Sequence, residues 1–383
     1  IYDYYSNFGT DDAHLWADKY SGTLDDVFDI QEKVSRSIAG ALKIRLSSEE
    51  RESLAERGLP DVQAYDCYLK ARHAFCQWTE DGFDRALGYL QEALNIVGDN
   101  ALLLAGLGYM YFNYVNLGFR GEDYLDKAEA SAKAALKRDP FSAKSHFVLS
   151  LIDGVRGDTI ECLRKIKKAL SLDPNDPDTL FWLISDYSLQ AGKTEAAIPL
   201  VDRLLKRDPL NANSYLVKGL TSFFAGRFEE ALAPLEKACT MDPGSPPFQF
   251  WRVQTLFITG RKQEAWDVIE AGQRHFPDHP FQVFCVLFRS AVKGKIEPLK
   301  TLDKALVEMA ERDPYYSAVF AEFYAILNDK EKALDWLEHA YQRGYFNYPF
   351  IQLHDPFYEN IREESRFKTL MQHVKMQWEK IEV

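Results

Sequence analysis

Residues 213–243 read NSYLVKGLTSFFAGRFEEALAPLEKACTMDP. In the second half of this stretch Phe228, Ala231, Leu232, Leu235 and Ala238 recur at intervals of three and four. That spacing draws one apolar stripe along a helix, with Glu229, Glu230, Glu236 and Lys237 outside it. Gly226 stands before this helix and Pro243 after it. Glycine permits the left-handed backbone that ends a helix, and proline cannot continue one. The stretch therefore predicts two helices joined by a tight turn, closed by a second turn.

The same punctuation recurs along the chain. Arg138-Asp139-Pro140, Leu172-Asp173-Pro174, Arg207-Asp208-Pro209 and Met241-Asp242-Pro243 each close a helical pattern, and Pro277 and Pro314 continue the series at intervals of 34, 35, 34, 34 and 37. Gly157, Gly192, Gly226, Gly260 and Gly294 interleave with it at 35, 34, 34 and 34, and Asn328 extends the row. Asparagine tolerates the left-handed region next best to glycine. Five residues after each comes Cys162, Ala197, Ala231, Ala265, Leu299 and Ala333, where the two helices of a hairpin approach closely. A single hairpin cannot bury its apolar face, so neighbours must stack and share a core.

This unit resembles the tetratricopeptide repeat, whose 34 residues prefer W-x2-L-G-x2-Y followed by Gly, Ala, Phe, Ala and Pro. In residues 213–243, Tyr215, Gly219, Ala231, Ala238 and Pro243 take those places. Residues 104–140 match through Leu107-Gly108, Tyr111, Ala128, Ala135 and Pro140, with a turn longer by about eight residues in Asn113–Asp123. Residues 62–98 are a looser copy with Ala86 and Ala93, and Gly98 replaces the proline. The resemblance implies an all-α, right-handed superhelix (an α-solenoid) of about eight hairpins between residues 62 and 343. Residues 295–314 depart most from the pattern.

The ends differ from the repeats. Residues 1–23 read as the remnant of an upstream domain or linker, and 24–61 as connecting helices: a long one over Leu24–Leu46 and a short one over Ser48–Arg57. The string AHLWADKYSGTLDDVFDIQEKVSRSIAGAL, with LSSEERESLA and AYDCYLKARHAF after it, resembles a junction in multidomain bacterial signalling proteins. There a sheet domain of the TolB N-terminal or FlgO-like type precedes the repeats, and a kinase, a nucleotide cyclase or a winged-helix domain lies further upstream. That resemblance places the end of the sheet domain at His14-Leu15-Trp16. The chain opens on Ile1 and not Met, which reads as a piece of a longer protein. Residues 344–383 resemble the element that closes such arrays, with DPFYENIREESRF in place of a DP-x-F…LR-x-DPRF pattern and a final helix around Glu364–Ile381.

Composition narrows the function. A formal charge of -12 over 383 residues disfavours nucleic acid, which needs a concentrated basic surface. The uncharged stretch Ala101–Phe119 falls in register with the repeat and reads as a buried hairpin helix, with no membrane insertion. Five dispersed cysteines without a CxxC pair read as free core thiols of a reducing, cytoplasmic setting. Ala191-Gly192-Lys193-Thr194 lacks the earlier glycine and the strand of a phosphate-binding loop. His275 and His279 flank Pro277, so no helix presents them together, and with Asp278 they read as a solvated turn and not a metal site. Kinase and GxSxG signatures are absent. The chain therefore reads as a non-enzymatic module without cofactor or metal.

In the family that the repeats resemble, first helices line a concave groove. Carried onto this chain, the lining positions are Tyr109 and Phe112, Phe147 and Leu151, Trp182 and Asp186, then Leu216, Leu220, Phe223 and Phe224. Phe250, Gln254 and Phe257 follow, then Phe284 and Phe288. The resemblance implies a protein or peptide partner. The Lys and Asn of a carboxylate clamp are missing, so an apolar segment fits this groove better than an acidic tail. The competing reading is that part of this set is ordinary core. Self-association, one array in another's groove, and membership of a larger kinase or cyclase are the remaining alternatives.

Overall fold

The computed structural model describes residues 2–10, 13–22, 59 and 61–383. The connecting helices expected over 24–46 and 48–57 lie outside the described residues. Near the start, β1 (Tyr2–Thr10) and β2 (Ala13–Gly22) pair antiparallel, with an irregularity between Phe8 and Gly9. This hairpin is the departure from an all-helical chain. Its second strand runs beyond Trp16, where the sheet was expected to end.

From residue 62 the fold is eight stacked helical hairpins. The first four are α1 (Val62–Phe75) with α2 (Glu80–Val97), α3 (Ala101–Asn116) with α4 (Asp123–Arg138), α5 (Ala143–Val155) with α6 (Thr159–Leu172), and α7 (Pro177–Ser185) with α8 (Thr194–Arg207). The fifth is α9 (Ala212–Phe224) with α10 (Phe228–Met241), and the sixth α11 (Pro246–Ile258) with α12 (Lys262–His275). In the seventh, α13 (Pro280–Val292) is followed by one turn, α14 (Glu297–Lys300), and a shortened α15 (Lys304–Arg312), which is where the repeat pattern breaks. The eighth is α16 (Pro314–Ile326) with α17 (Lys330–Gln342).

Local chemistry explains the boundaries. Asp61, Asn100, Asp158, Asp176, Asn211 and Asp329 cap their helices by accepting backbone N–H groups of the first turn. The turn glycines have φ from +59° to +91°, and Asn328 stands at +61° in the same role. Cys162, Ala197, Ala231, Ala265, Leu299 and Ala333 are all buried where the paired helices meet. Helix α3 covers most of the uncharged stretch and is buried in the stack. No helix among the described residues is long and apolar enough to cross a membrane. Cys67, Cys162, Cys239 and Cys285 are buried free thiols, whereas Cys76 is exposed, contrary to its reading as core.

One interval had a structural cause. Gly157 to Gly192 is 35 residues instead of 34, and the extra residue is taken up as a wide π-type turn, Asp186–Gln190, at the end of α7.

After α17 the chain does not simply cover the end of the array. Residues 343–358 form a strap that passes the turns of hairpins three, four and five in succession. The Arg343 guanidinium donates to the Val155 carbonyl, and the Thr159 hydroxyl donates to the Gly344 carbonyl. Phe346 N–H donates to the Gln190 carbonyl, and the Asn347 amide donates to the carbonyls of Ser188 and Leu189 at 2.9 and 2.8 Å. His354 reaches Gly226. The last helix, α18 (Ser365–Lys380), packs on α17 and ends with the Trp378 indole donating to the Gly192 carbonyl. Lys193 lies over that indole at 4.0 Å, so the residues that resembled a phosphate loop dock the C-terminal helix.

Candidate functional site

The first helices of the hairpins form the inner face, and the fifteen groove positions lie on them, with Asp186 in the π-type turn that ends α7. The structure buries all of these except Trp182, which is half-buried. The chain covers its own inner face, so the open apolar groove expected from the sequence is roofed. Phe350 of the strap meets Phe223 and Phe224 with ring centroids 5.4 and 4.8 Å away. Helix α16 turns inward and sets Tyr316 on Phe284 and Phe323 on Phe288. Tyr315 donates its hydroxyl hydrogen bond to Gln254 at 2.9 Å and stacks on Trp251. Phe250 and Phe257 pack within this aromatic layer.

The first hairpins close the other side. Tyr109, Phe112 and Phe147 surround the Trp182 indole or one another, and the indole N–H donates to the Tyr109 hydroxyl at 3.0 Å. Lys144 and Arg72 both pair with Asp178, which ties hairpins one, three and four together. Burial alone would raise the Asp178 carboxyl. The two cations outweigh it and hold the group below its ordinary range.

His279 corrects the reading of its turn as solvated. The ring is buried, its Nδ1 accepts the Phe281 N–H, and its Nε2 lies 3.2 Å from the Trp78 carbonyl. Accepting at Nδ1 leaves the proton on Nε2, which donates to that carbonyl. Burial pulls the ring down to about 4. It therefore joins the seventh hairpin to the first as a neutral group. Among the described residues no group of three His, Cys, Asp or Glu side chains is placed to hold a metal.

Among the described residues, a cavity of about 120 Å³ lies on the inner face between hairpins one, two and four to eight. Of the groove positions, Trp182, Asp186, Leu216 and Leu220 line it. Sequence reasoning missed the rest of its wall, including Trp78, Trp251, Tyr315 and Asp313. The available signal was Asp313-Pro314-Tyr315-Tyr316, where the repeat's own closing dipeptide is followed by two rings. At the floor, Asp186 is buried beside Cys162, whose thiol lies 3.4 Å away. Burial pushes the Asp186 carboxyl up to about 7. Two buried acceptors at the cavity, Gln190 Oε1 and Asn213 Oδ1, have no hydrogen-bond donor.

A second cluster of acids lies under the strap. Glu322 of α16 and Asp355 of the strap are both buried, and Gln254 donates to Glu322 at 3.2 Å. Burial raises both carboxyls, Asp355 to about 7 and Glu322 well above its ordinary value, and the nearness of Asp355 raises Glu322 further.

Stacked hairpins of this length, with a glycine turn inside each and a proline turn between them, define an α-solenoid of the tetratricopeptide type. Comparison agrees: residues 183–246 match the tetratricopeptide repeat family model, and the chain carries tetratricopeptide repeats. Over 145 residues it is 31% identical to a protein of Rhizobium meliloti (strain 1021) named as a candidate adenylate cyclase, a match covering 37% of this chain and 25% of that one. It is 23% identical over 175 residues to the transcriptional regulator HilA of Salmonella typhimurium, covering 45% of this chain and 32% of the regulator. The chain thus spans between a quarter and a third of the curated relatives it matches. Among solved structures, the human IFIT1 dimer with PPP-AAAA is similar with a TM-score of 0.53 at 13% identity, covering 83% of this chain and 78% of that one. At that identity the likeness is one of fold.

Proposed function

We propose that this chain is the protein-interaction and regulatory part of a bacterial signalling protein. The observation that carries this reading is an aromatic inner face, built by eight stacked hairpins, that is held closed by the chain's own strap. The partner is a protein segment of apolar character. It takes the place that the strap occupies against Phe223, Phe224 and Phe288. The two bacterial relatives support a signalling setting, since one is named for cyclic nucleotide synthesis and the other for transcriptional regulation. The buried thiols fit a cytoplasmic location.

The first relative also favours a second reading, in which the whole protein is an enzyme whose catalytic domain lies outside these residues. Two measurements test the first reading, and the full reading frame of the gene tests the second. The chain used as bait should retain a protein that, once purified, binds it with a Kd of about 10 µM or tighter, and the Phe350→Ala bait should bind it more strongly because the strap is weakened. Turnover of ATP by the purified chain would defeat the non-enzymatic reading. Concentration-dependent light scattering from the chain alone would make a second copy the partner.

A further inference from the structure

The central cavity is chemically one-sided. Of its nineteen lining residues only Asp186 and Asp313 carry formal charge, and none is Lys, Arg or His. Eight are aromatic. Ring faces carry negative potential and attract cations, most strongly where water is excluded. The two acids are not equivalent. Asp313 caps α16 by accepting the N–H groups of Tyr315 and Tyr316 at 2.8 and 3.0 Å, and Arg312 and Arg343 lie near it. Asp186 has only the neutral Cys162 thiol and the like-charged Asp313 as titratable neighbours. A buried carboxylate without a cation is costly, and so is a buried acceptor without a donor. The cavity holds both, since Gln190 Oε1 and Asn213 Oδ1 are buried and unpaired at its wall.

We propose that this cavity binds a compact alkylammonium, with Asp186 as its charge partner, Gln190 and Asn213 as acceptors for its N–H groups, and the surrounding rings as its apolar walls. The size agrees. An apolar cavity of roughly 150 Å³ holds benzene, so about 120 Å³ suits a body of five or six non-hydrogen atoms. Access agrees as well, because Phe181, Trp182 and Gln190 at the rim are half-buried while Trp251, Tyr315 and Leu216 at the floor are buried. The site does not depend on the protein-binding reading. It lies beside the π-type turn that anchors the strap, so its occupancy and the strap's attachment share Gln190.

The test is calorimetric titration of the full chain at pH 8, above the range to which burial lifts Asp186. The probes are 3-methylbutylammonium, its neutral counterpart 3-methylbutan-1-ol, and 4-methylpentanoate. The ammonium should saturate one site, with the alcohol and the carboxylate at least about tenfold weaker. Asp186→Asn keeps the shape and removes the charge, and should bring the ammonium down to the alcohol's affinity. Leu220→Phe, which fills the cavity, should abolish binding and serves if Asp186→Asn does not fold. Absence of saturable ammonium binding, equal affinity for the alcohol, or unchanged binding in either folded variant overturns the proposal, and the cavity then holds water.

Discussion

The turns inside hairpins three, four and five and those inside hairpins six and seven begin from the same sequence device, a glycine at positive φ five residues before a closely packed side chain. Their surroundings differ. A Cβ added at Gly260 or Gly294 would meet nothing within 4 Å. At Gly157 it would lie 3.0 Å from the Arg343 carbonyl oxygen, at Gly192 within contact of the Asn347 amide, and at Gly226 against the His354 ring. Three turns serve twice, once to reverse the chain and once to receive the strap. The two others only reverse it. A local repeat thus supplies identical parts, and a single non-local segment makes some of them a docking surface.

The largest expected break in this contrast comes from Phe350→Ala. The ring is buried and touches Phe223, Phe224 and Phe228, all on the strapped side. Truncating a buried phenylalanine costs about 3–5 kcal/mol. Chemical denaturation should show that loss, and hydrogen exchange should place it in residues 343–358 and hairpins four and five, with hairpins one and two less affected. Uniform loosening along the whole array would mean that the strap is not a separate stabilising element.

A pair of matched substitutions sharpens the comparison. Gly260→Ala should cost about 1 kcal/mol from backbone strain alone. Gly192→Ala carries the same strain and also meets the Asn347 side chain and Pro349, so it should cost about 2–3 kcal/mol. Asn347→Ala in the Gly192→Ala background should recover part of that excess. Equal costs at Gly192 and Gly260 would show that the strap is free to move away.

How much of this was legible follows from range. The period, the glycine and proline turns, Asn328 as a stand-in for glycine, and the irregular seventh hairpin were readable because each is decided within a single repeat. Even the π-type turn left a trace, in the one interval of 35 before Gly192. The roof over the inner face left none, since it depends on Phe350 reaching Phe224 and on Tyr315 reaching Gln254, pairs far apart in sequence. A row of aromatic residues has the same spacing whether solvent, a partner or the chain itself lies on it. Asp186 was placed correctly on the inner face. Its burial and the unpaired amides beside it required the closure to be seen.

The strap should also respond to pH. Burial holds Asp355 and Glu322 protonated to higher pH than in an unfolded chain. Through Asp355 the folded state therefore binds more protons than the unfolded one between about pH 4 and pH 7, and Glu322 acts in the same direction. The contribution is complete below the unfolded range and is lost as pH rises through about 7. Asp355→Asn keeps the acceptor for the Phe357 N–H and removes the ionisation. It should stabilise the protein by about 1–2 kcal/mol at pH 8 and by less at pH 4. A gain independent of pH would locate the effect elsewhere.

The smallest expected effect lies at the opposite ends of the helices, in the turns between hairpins. These turns carry the proline markers. Leu210 follows Pro209 there and is 82% exposed, and Phe141 after Pro140 is also exposed. Both side chains stay largely in water on folding, so neither contributes much burial energy. Leu210→Ser should change stability by less than about 0.5 kcal/mol in a urea melt, against the several kcal/mol expected for Phe350→Ala. The two changes remove side chains of comparable apolar character from opposite edges of the same stack. A large loss from Leu210→Ser would require a contact on the proline edge equivalent to the strap on the glycine edge, and the contrast between the edges would then disappear.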